Sequence, residues 1–147
     1  MTARSTEILQ RHFPDRRADH FQPMSIGVTP AHKDEGARLI LEGRKTLTSS
    51  PAWEWSEEEP PFVGALSVLL DGRDMACAIL ETTAVELQRI GDFSEALARA
   101  YGEGDRTLAW WRRETWPIYS QMAEENGQIL TEDTLLYLEW FKVIKRL

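Results

Sequence analysis

The hydrophobic pattern along the chain separates helix-period from strand-period stretches. Ala31 to Gly43 puts Ala37, Leu39, Ile40 and Leu41 on a face that a helix buries. Gly43 is the natural stop, because glycine takes the left-handed conformation of a helix end at little steric cost. Thr46-Leu47-Thr48 is β-branched or apolar and favours extended chain. Pro51 to Pro61 reads as a loop whose Glu57-Glu58-Glu59 run is a solvated surface. Gly64 to Leu70 reads as a strand, Asp71-Gly72-Arg73-Asp74 as a tight hairpin turn, and Met75 to Leu87 as the return strand. The near-continuous apolar start of that return strand, Met75 to Leu80, predicts burial on both faces.

Farther on, Asp92 or Ser94 caps a helix running to about Tyr101, and Gly102 to Arg106 forms a glycine-broken loop. Thr107 to Glu125 predicts a second helix, kinked or restarted near Pro117. Asn126-Gly127 ends it, and Thr134 to Ile144 closes the chain as a strand in which Leu136, Leu138 and Trp140 alternate with Tyr137, Glu139 and Phe141. Helices mixed with hairpin signals and few crossovers indicate an α+β fold, most simply a small curled sheet or barrel flanked by helices.

Residues 1–30 read as an N-terminal extension to a domain covering 31–147. Thr6 to Phe13 forms a short helix with Ile8, Leu9 and Phe13 on a weak apolar face, and Pro14, Pro23 and Pro30 punctuate the rest. Arg4, Arg11, Arg16 and Arg17 suit either a contact arm for an acidic partner or a solvated tail, with Glu7, Asp15 and Asp19 offsetting most of their charge.

Composition narrows the function classes. At 147 residues the chain makes one domain with a real core, and 42% hydrophobic with 28% charged residues is the balance of a globular protein. A formal charge of −7 argues against tight, sequence-blind binding to long nucleic acid, which depends on neutralising phosphates. It leaves room for a local basic groove or a nucleoside-sized ligand. Cys77 is the single cysteine, so no intramolecular disulfide forms, and a reducing, cytoplasmic setting is expected. Its apolar run predicts a buried, inert thiol. No apolar run reaches the length of a membrane span, and the N-terminus lacks the pattern of a signal peptide. His12, His20 and His32 lack metal-ligand spacing, and neither a metal nor a cofactor is expected.

Candidate chemistry concentrates in Gly43-Arg44-Lys45-Thr46-Leu47-Thr48-Ser49-Ser50, where a helix hands over to a strand and delivers an amine and several hydroxyls. The plainer alternative is a polar edge strand behind a helix end whose lysine complements the helix dipole. The aromatic residues Trp110, Trp111, Trp116 and Tyr119 supply core packing, with stacking on a nucleobase as the alternative role.

Three blocks in this order resemble the ASCH (activating-signal-cointegrator homology) family, a branch of the PUA-like β-barrel superfamily. The first is Leu41-Glu42-Gly43-Arg44-Lys45-Thr46-Leu47-Thr48, continuing through Ser50 to Trp53-Glu54. The second is Val68-Leu69-Leu70-Asp71-Gly72 with Ile79-Leu80-Glu81-Thr82-Thr83-Ala84-Val85. The third is Ala98-Arg99-Ala100-Tyr101-Gly102-Glu103-Gly104-Asp105-Arg106-Thr107-Leu108, followed by Trp111-Arg112. Tyr101 stands where close relatives carry Glu, and Thr115 where they carry His.

The resemblance implies a small barrel flanked by helices, with a cleft between barrel and helix that accepts RNA or a modified nucleoside. Some members are amidohydrolases on N4-acetylcytidine and related acylated cytosines, and others are reported to act on RNA. Carried over, their catalytic Lys and Thr fall on Lys45 and Thr48. Their Glu falls on Glu103 or is displaced by Tyr101. Arg44, Ser50, Trp53, Tyr101, Asp105, Trp111 and Arg112 are the accompanying substrate-binding candidates. Amide hydrolysis needs a nucleophile, a proton shuttle and charge stabilisation, which Thr48, Lys45 and Glu103 supply as residue types. On a straight strand, however, residues three apart face opposite ways, so Lys45 and Thr48 converge only if the chain bends. Two readings stand side by side: a small amidohydrolase, and a non-catalytic RNA-binding module in which Arg44, Lys45 and Arg112 meet phosphates and Trp53 or Trp111 stacks on a base.

Overall fold

The computed structural model describes residues 3–16, 21–57 and 59–147, with the side chains of Ala3, Phe21 and Gln22 excepted. Arg17, Asp19, His20 and Glu58 lie outside the described residues. Five strands form one sheet in the order β1-β3-β4-β5-β2: β1 Phe21–Met24, β2 Leu47–Pro51, β3 Leu66–Leu70, β4 Ala76–Arg89 and β5 Leu135–Arg146. β1 pairs with β3 in parallel, and the other ladders are antiparallel. The helices are α1 Ala3–His12, α2 Pro30–Leu41, α3 Glu95–Tyr101 and α4 Leu108–Glu125, with short 3-10 turns at Ala52–Trp55 and Ile90–Asp92.

The α+β class holds. The closed barrel does not: β1 and β2 are the two outer strands, and no ladder joins them among the described residues. Bulges between Ile79 and Leu80 and between Thr82 and Ala84 interrupt the long β4–β5 ladder and add local twist instead.

Local chemistry explains most of the boundaries. Thr29 accepts the His32 N–H at the start of α2, with Pro30 as its first residue. Gly43 (φ +76°) ends that helix, donating to the Ile40 carbonyl while Arg44 donates to Leu39. Ser94 caps α3, and Thr107 caps α4 by accepting the Trp110 N–H. α4 runs through Pro117 as one helix, so the expected restart there is absent. A proline removes one backbone donor, which the flanking turns of an 18-residue helix can carry.

Both sheet faces are covered. α1 packs Leu9, fully buried, against Leu66, Val68 and Ile79, while Ile26 and α2 residues Ala37 and Ile40 pack on Leu69, Ala78, Leu80 and Phe141. Ile79 therefore faces α1 while its neighbours Ala78 and Leu80 face α2, so the two-sided burial expected for Met75 to Leu80 holds for Ala78 to Leu80, while Met75 is exposed and Ala76 and Cys77 are partly buried. A third cluster joins Leu47, Leu136 and Leu138 to α3 and α4 through Ile90, Phe93, Ala98, Trp111 and Tyr119. The segment read as a contact arm or a solvated tail is thus, in its described part, packed into the fold. α1 is docked, β1 is an edge strand, and Arg16 bonds the Gly64 carbonyl and pairs with Glu81. Cys77 is half-buried rather than enclosed, its thiol donating to the Leu69 carbonyl at 3.3 Å, and burial pushes its pKa up.

Candidate active site

A cavity of about 360 Å³ opens between β2, β5, the α3–α4 loop, α4 and the start of α2. Thr48, Ser49 and Ser50 of β2 form one wall, Tyr101 and Glu103 a second, and Trp110, Thr115, Ile118, Tyr119 and Met122 of α4 a third. Trp55, Ile26, Val28 and His32 complete the rim, and Glu139 of β5 lies within.

Lys45 sits behind this cavity, between α2 and β2, and is 1% exposed. Three contacts hold its amine: Nζ lies 2.9 Å from Glu103 Oε2, donates to the Tyr101 carbonyl at 3.1 Å, and rests 3.3 Å from the centroid of the Tyr101 ring. The Glu103 contact is an ion pair whose angle departs from an aligned hydrogen bond. Burial pulls the Lys45 pKa down to about 8 against the opposing pull of Glu103. Glu103, 6% exposed, also approaches His32 Nε2 at 3.2 Å through its other oxygen, so it is gripped from two sides while still lining the cavity.

This meeting depends on Gly102, which ends α3 in the left-handed conformation (φ +75°). A Cβ there would fall 2.2 Å from the Arg44 carbonyl oxygen and 2.7 Å from Lys45 Cα, so only glycine lets the end of α3 touch the Arg44-Lys45 backbone. The Thr46 N–H bonds the Ala100 carbonyl at 2.9 Å and fastens the same junction.

Hydroxyls join the first and third walls. Ser49 Oγ and Tyr119 Oη lie 2.6 Å apart, and the phenol also donates to the Ser49 carbonyl at 3.0 Å. Burial raises the pKa values of Tyr101 and Tyr119, so both phenols stay protonated donors. Tyr119→Phe removes the bonds to Ser49 and is expected to lower stability by about 1 kcal/mol, measured by urea denaturation. An unchanged midpoint would show that the pair contributes nothing.

The predicted residues divide into two groups. Thr48, Ser50, Tyr101 and Glu103 line the cavity, with Lys45 one layer behind. Lys45 precedes β2 and Thr48 lies within it, and the contacts of the Lys45 amine are to Glu103 and Tyr101. Arg44, Trp53, Asp105, Trp111 and Arg112 lie off the cavity wall. Trp111 is 1% exposed, with its face stacked on Phe93 at 3.7 Å and 6°, leaving no face for a base. Arg112 pairs with Glu132 beside Trp116. Asp105 is exposed and accepts from Thr107 N–H and Oγ1, and Arg44 is exposed.

Sequence reasoning missed His32 as a pocket group, offered Tyr119 for core packing or base stacking rather than as a hydroxyl, and gave Glu139 no role beyond its place in the strand. Glu139 is 9% exposed, and its Oε2 accepts the Thr82 hydroxyl at 2.6 Å. Burial raises its pKa, partly offset by that bond. A carboxylate between Leu138 and Trp140 in an apolar strand was the available signal.

Residues 22–145 match the family model described as the ASCH domain. The chain belongs to the ASCH domain family. This ASCH domain is similar to the crystal structure of an ASCH domain from Lactobacillus crispatus, at 30% identity and a TM-score of 0.87, covering 99% of this chain and 96% of that one. It is also similar to the structure of an Enterococcus faecalis protein, at 25% identity and a TM-score of 0.85, over 99% and 91% of the two chains. An ASCH protein of Zymomonas mobilis, a variant structure with a TM-score of 0.51 at 11% identity over 86% and 71%, shares the fold alone. No curated protein matches this ASCH domain. None of its described helices is long and apolar enough to cross a membrane.

Proposed function

We propose that this ASCH domain binds a modified nucleoside, or an unpaired base of RNA, in the β2–α4 cavity and hydrolyses an acyl amide on it, as on an N4-acylated cytosine. The observation that carries this reading is the buried Lys45–Glu103 pair, whose carboxylate reaches the cavity beside the Thr48 and Ser49 hydroxyls. A volume near 360 Å³ lies at the small end of the ligand-pocket range, about 300–1,000 Å³, and suits a single heterocycle rather than a strand. The aromatic groups Trp55 and Trp110 offer a base flat surface on that wall.

In this mechanism Thr48 Oγ1 attacks the acyl carbon and its proton passes to the Lys45–Glu103 pair. The C–N bond breaks as that proton is delivered to the departing exocyclic nitrogen, leaving an acyl-threonine ester. Water then cleaves the ester, giving a carboxylic acid and free Thr48. The phenol of Tyr101 and the hydroxyls of Ser49 and Ser50 are cavity-lining groups able to donate to the developing oxyanion. A Lys45 pKa of about 8 makes the amine a proton acceptor at mildly alkaline pH.

Incubation with N4-acetylcytidine tests this. Deacetylation is expected, with kcat/KM rising toward an apparent pKa near 8 and falling about 100-fold or more in Lys45→Ala, in line with loss of a general acid–base group. No turnover above the Lys45→Ala background removes the hydrolase reading for that substrate. Binding of short RNA that weakens as salt rises, without turnover, would favour the binding module instead.

A further inference from the structure

The Lys45–Glu103 pair does not account for the other buried carboxylate in the cavity. Glu139 sits mid-strand in β5, opposite Thr48 in the β2–β5 ladder, with its side chain lining the pocket. Its hydrogen bond among the described residues is the one from Thr82, and it forms no ion pair among them. The β4 bulge at Thr82 to Ala84 falls beside this contact, and bulges re-aim side chains. An inward carboxylate without a cation is costly to keep in a core strand. Satisfied by one hydroxyl on one oxygen, it keeps acceptor capacity for something that enters the pocket. The described wall offers such a carboxylate no lysine or arginine: its other charged groups are Glu54, Glu103, Glu114 and the titratable His32.

We infer that Glu139 sets ligand selectivity, accepting a hydrogen bond from an N–H donor, such as an exocyclic amino group, on the heterocycle in the pocket. This rests on the heterocycle-binding reading proposed above. Glu139 is a specificity residue held in place by Thr82, and the part of the ligand inside the pocket carries an amino group and no phosphate, because the acidic wall repels an anion. A site built to bond a donor discriminates strongly against analogues that lack it, since the buried acceptor is then left unpaired.

The test uses two fragments and two nucleosides, titrated into isotope-labelled full-length protein and followed by amide shifts of Thr48, Ser49 and Glu139. 4-Aminopyrimidine is expected to bind about 10-fold or more tightly than 4-methoxypyrimidine, which has no donor. The Glu139→Leu/Thr82→Val variant, whose apolar pair leaves no stranded hydroxyl, is expected to lose that preference while the pocket signals still respond. Glu139→Gln, with a neutral acceptor, is expected to keep only part of it. A preference retained in the double variant, or absent from the wild type, overturns the assignment. Cytidine and uridine separate the two layers of the argument. If the fragments behave as expected and neither nucleoside binds, the nucleoside reading falls and Glu139 keeps its role. If cytidine binds with a preference indifferent to Glu139, the reading stands and the assignment falls. If nothing binds, both fall.

Discussion

Replacing Lys45 by methionine lowers the free energy of unfolding by about 3–5 kcal/mol, the range for removing one member of a buried ion pair. The loss comes less from the vanished attraction than from the Glu103 carboxylate, left almost fully enclosed with the His32 ring as its remaining side-chain partner. Lys45→Met/Glu103→Gln is therefore expected to be more stable than Lys45→Met alone, and urea denaturation of both singles and the double measures the coupling. A Lys45→Met protein as stable as the wild type would show that the pair is not an ion pair in solution. The pH dependence gives an independent check. The amine holds a pKa of about 8 in the fold and roughly 10.4 in a free chain, so between those values the unfolded chain binds more protons. Wild-type stability from this group thus rises from pH 8 toward pH 10 and is at its lowest below pH 8, where the buried cation is charged in both states. Above pH 10 the buried phenols reverse the trend, because their raised pKa values let only the unfolded chain ionise. In Lys45→Met the rising limb disappears.

Gly102→Ala carries the second large effect, about 2–5 kcal/mol. Roughly 1–2 kcal/mol comes from a left-handed non-glycine residue, and the rest from forcing apart backbones that a Cβ would meet at 2.2 Å. Gly43→Ala is the internal comparison. It has the same handedness (φ +76°) with nothing within 4 Å of the added Cβ, so only the conformational part, about 1–2 kcal/mol, is expected. Thermal and urea unfolding of the two variants check the difference. Equal losses would mean that contact between Gly102 and the Arg44 carbonyl contributes nothing. Gly102→Ala is also expected to weaken any ligand binding, since it displaces Glu103 relative to Lys45.

What the sequence disclosed follows the range of the forces involved. A cap at Asp92 or Ser94, a helix start at Thr107, the Gly43 stop and the Asp71 turn are local, and each was readable from a few neighbouring residues. β1 was not. Pro23 interrupts a four-residue strand, and such a strand survives only at a sheet edge, here through a parallel pairing with β3 more than 40 residues away. The proximity of Lys45 to Glu103 came from family likeness, and the Gly102 contact that enforces it is a long-range packing fact. Glu139 was legible only as one position in an alternating strand. Its place in the cavity follows from the β2–β5 register, which sets it opposite Thr48. Trp111 was equally illegible in detail, because a tryptophan in an apolar helix looks the same whether its face meets Phe93 or a base.

The cavity takes walls from β1, the β1–α2 loop, α2, β2, the α3–α4 loop, α4 and β5, segments spread from residue 23 to residue 139. No fragment of the chain can assemble it, so an occupant acts as a clasp on the whole tertiary structure. Anything that enters stabilises the fold in proportion to the logarithm of its concentration above Kd, by about 2.7 kcal/mol at a hundred times Kd, and so raises the melting temperature. A thermal-shift screen can therefore find the occupant before any chemistry is known.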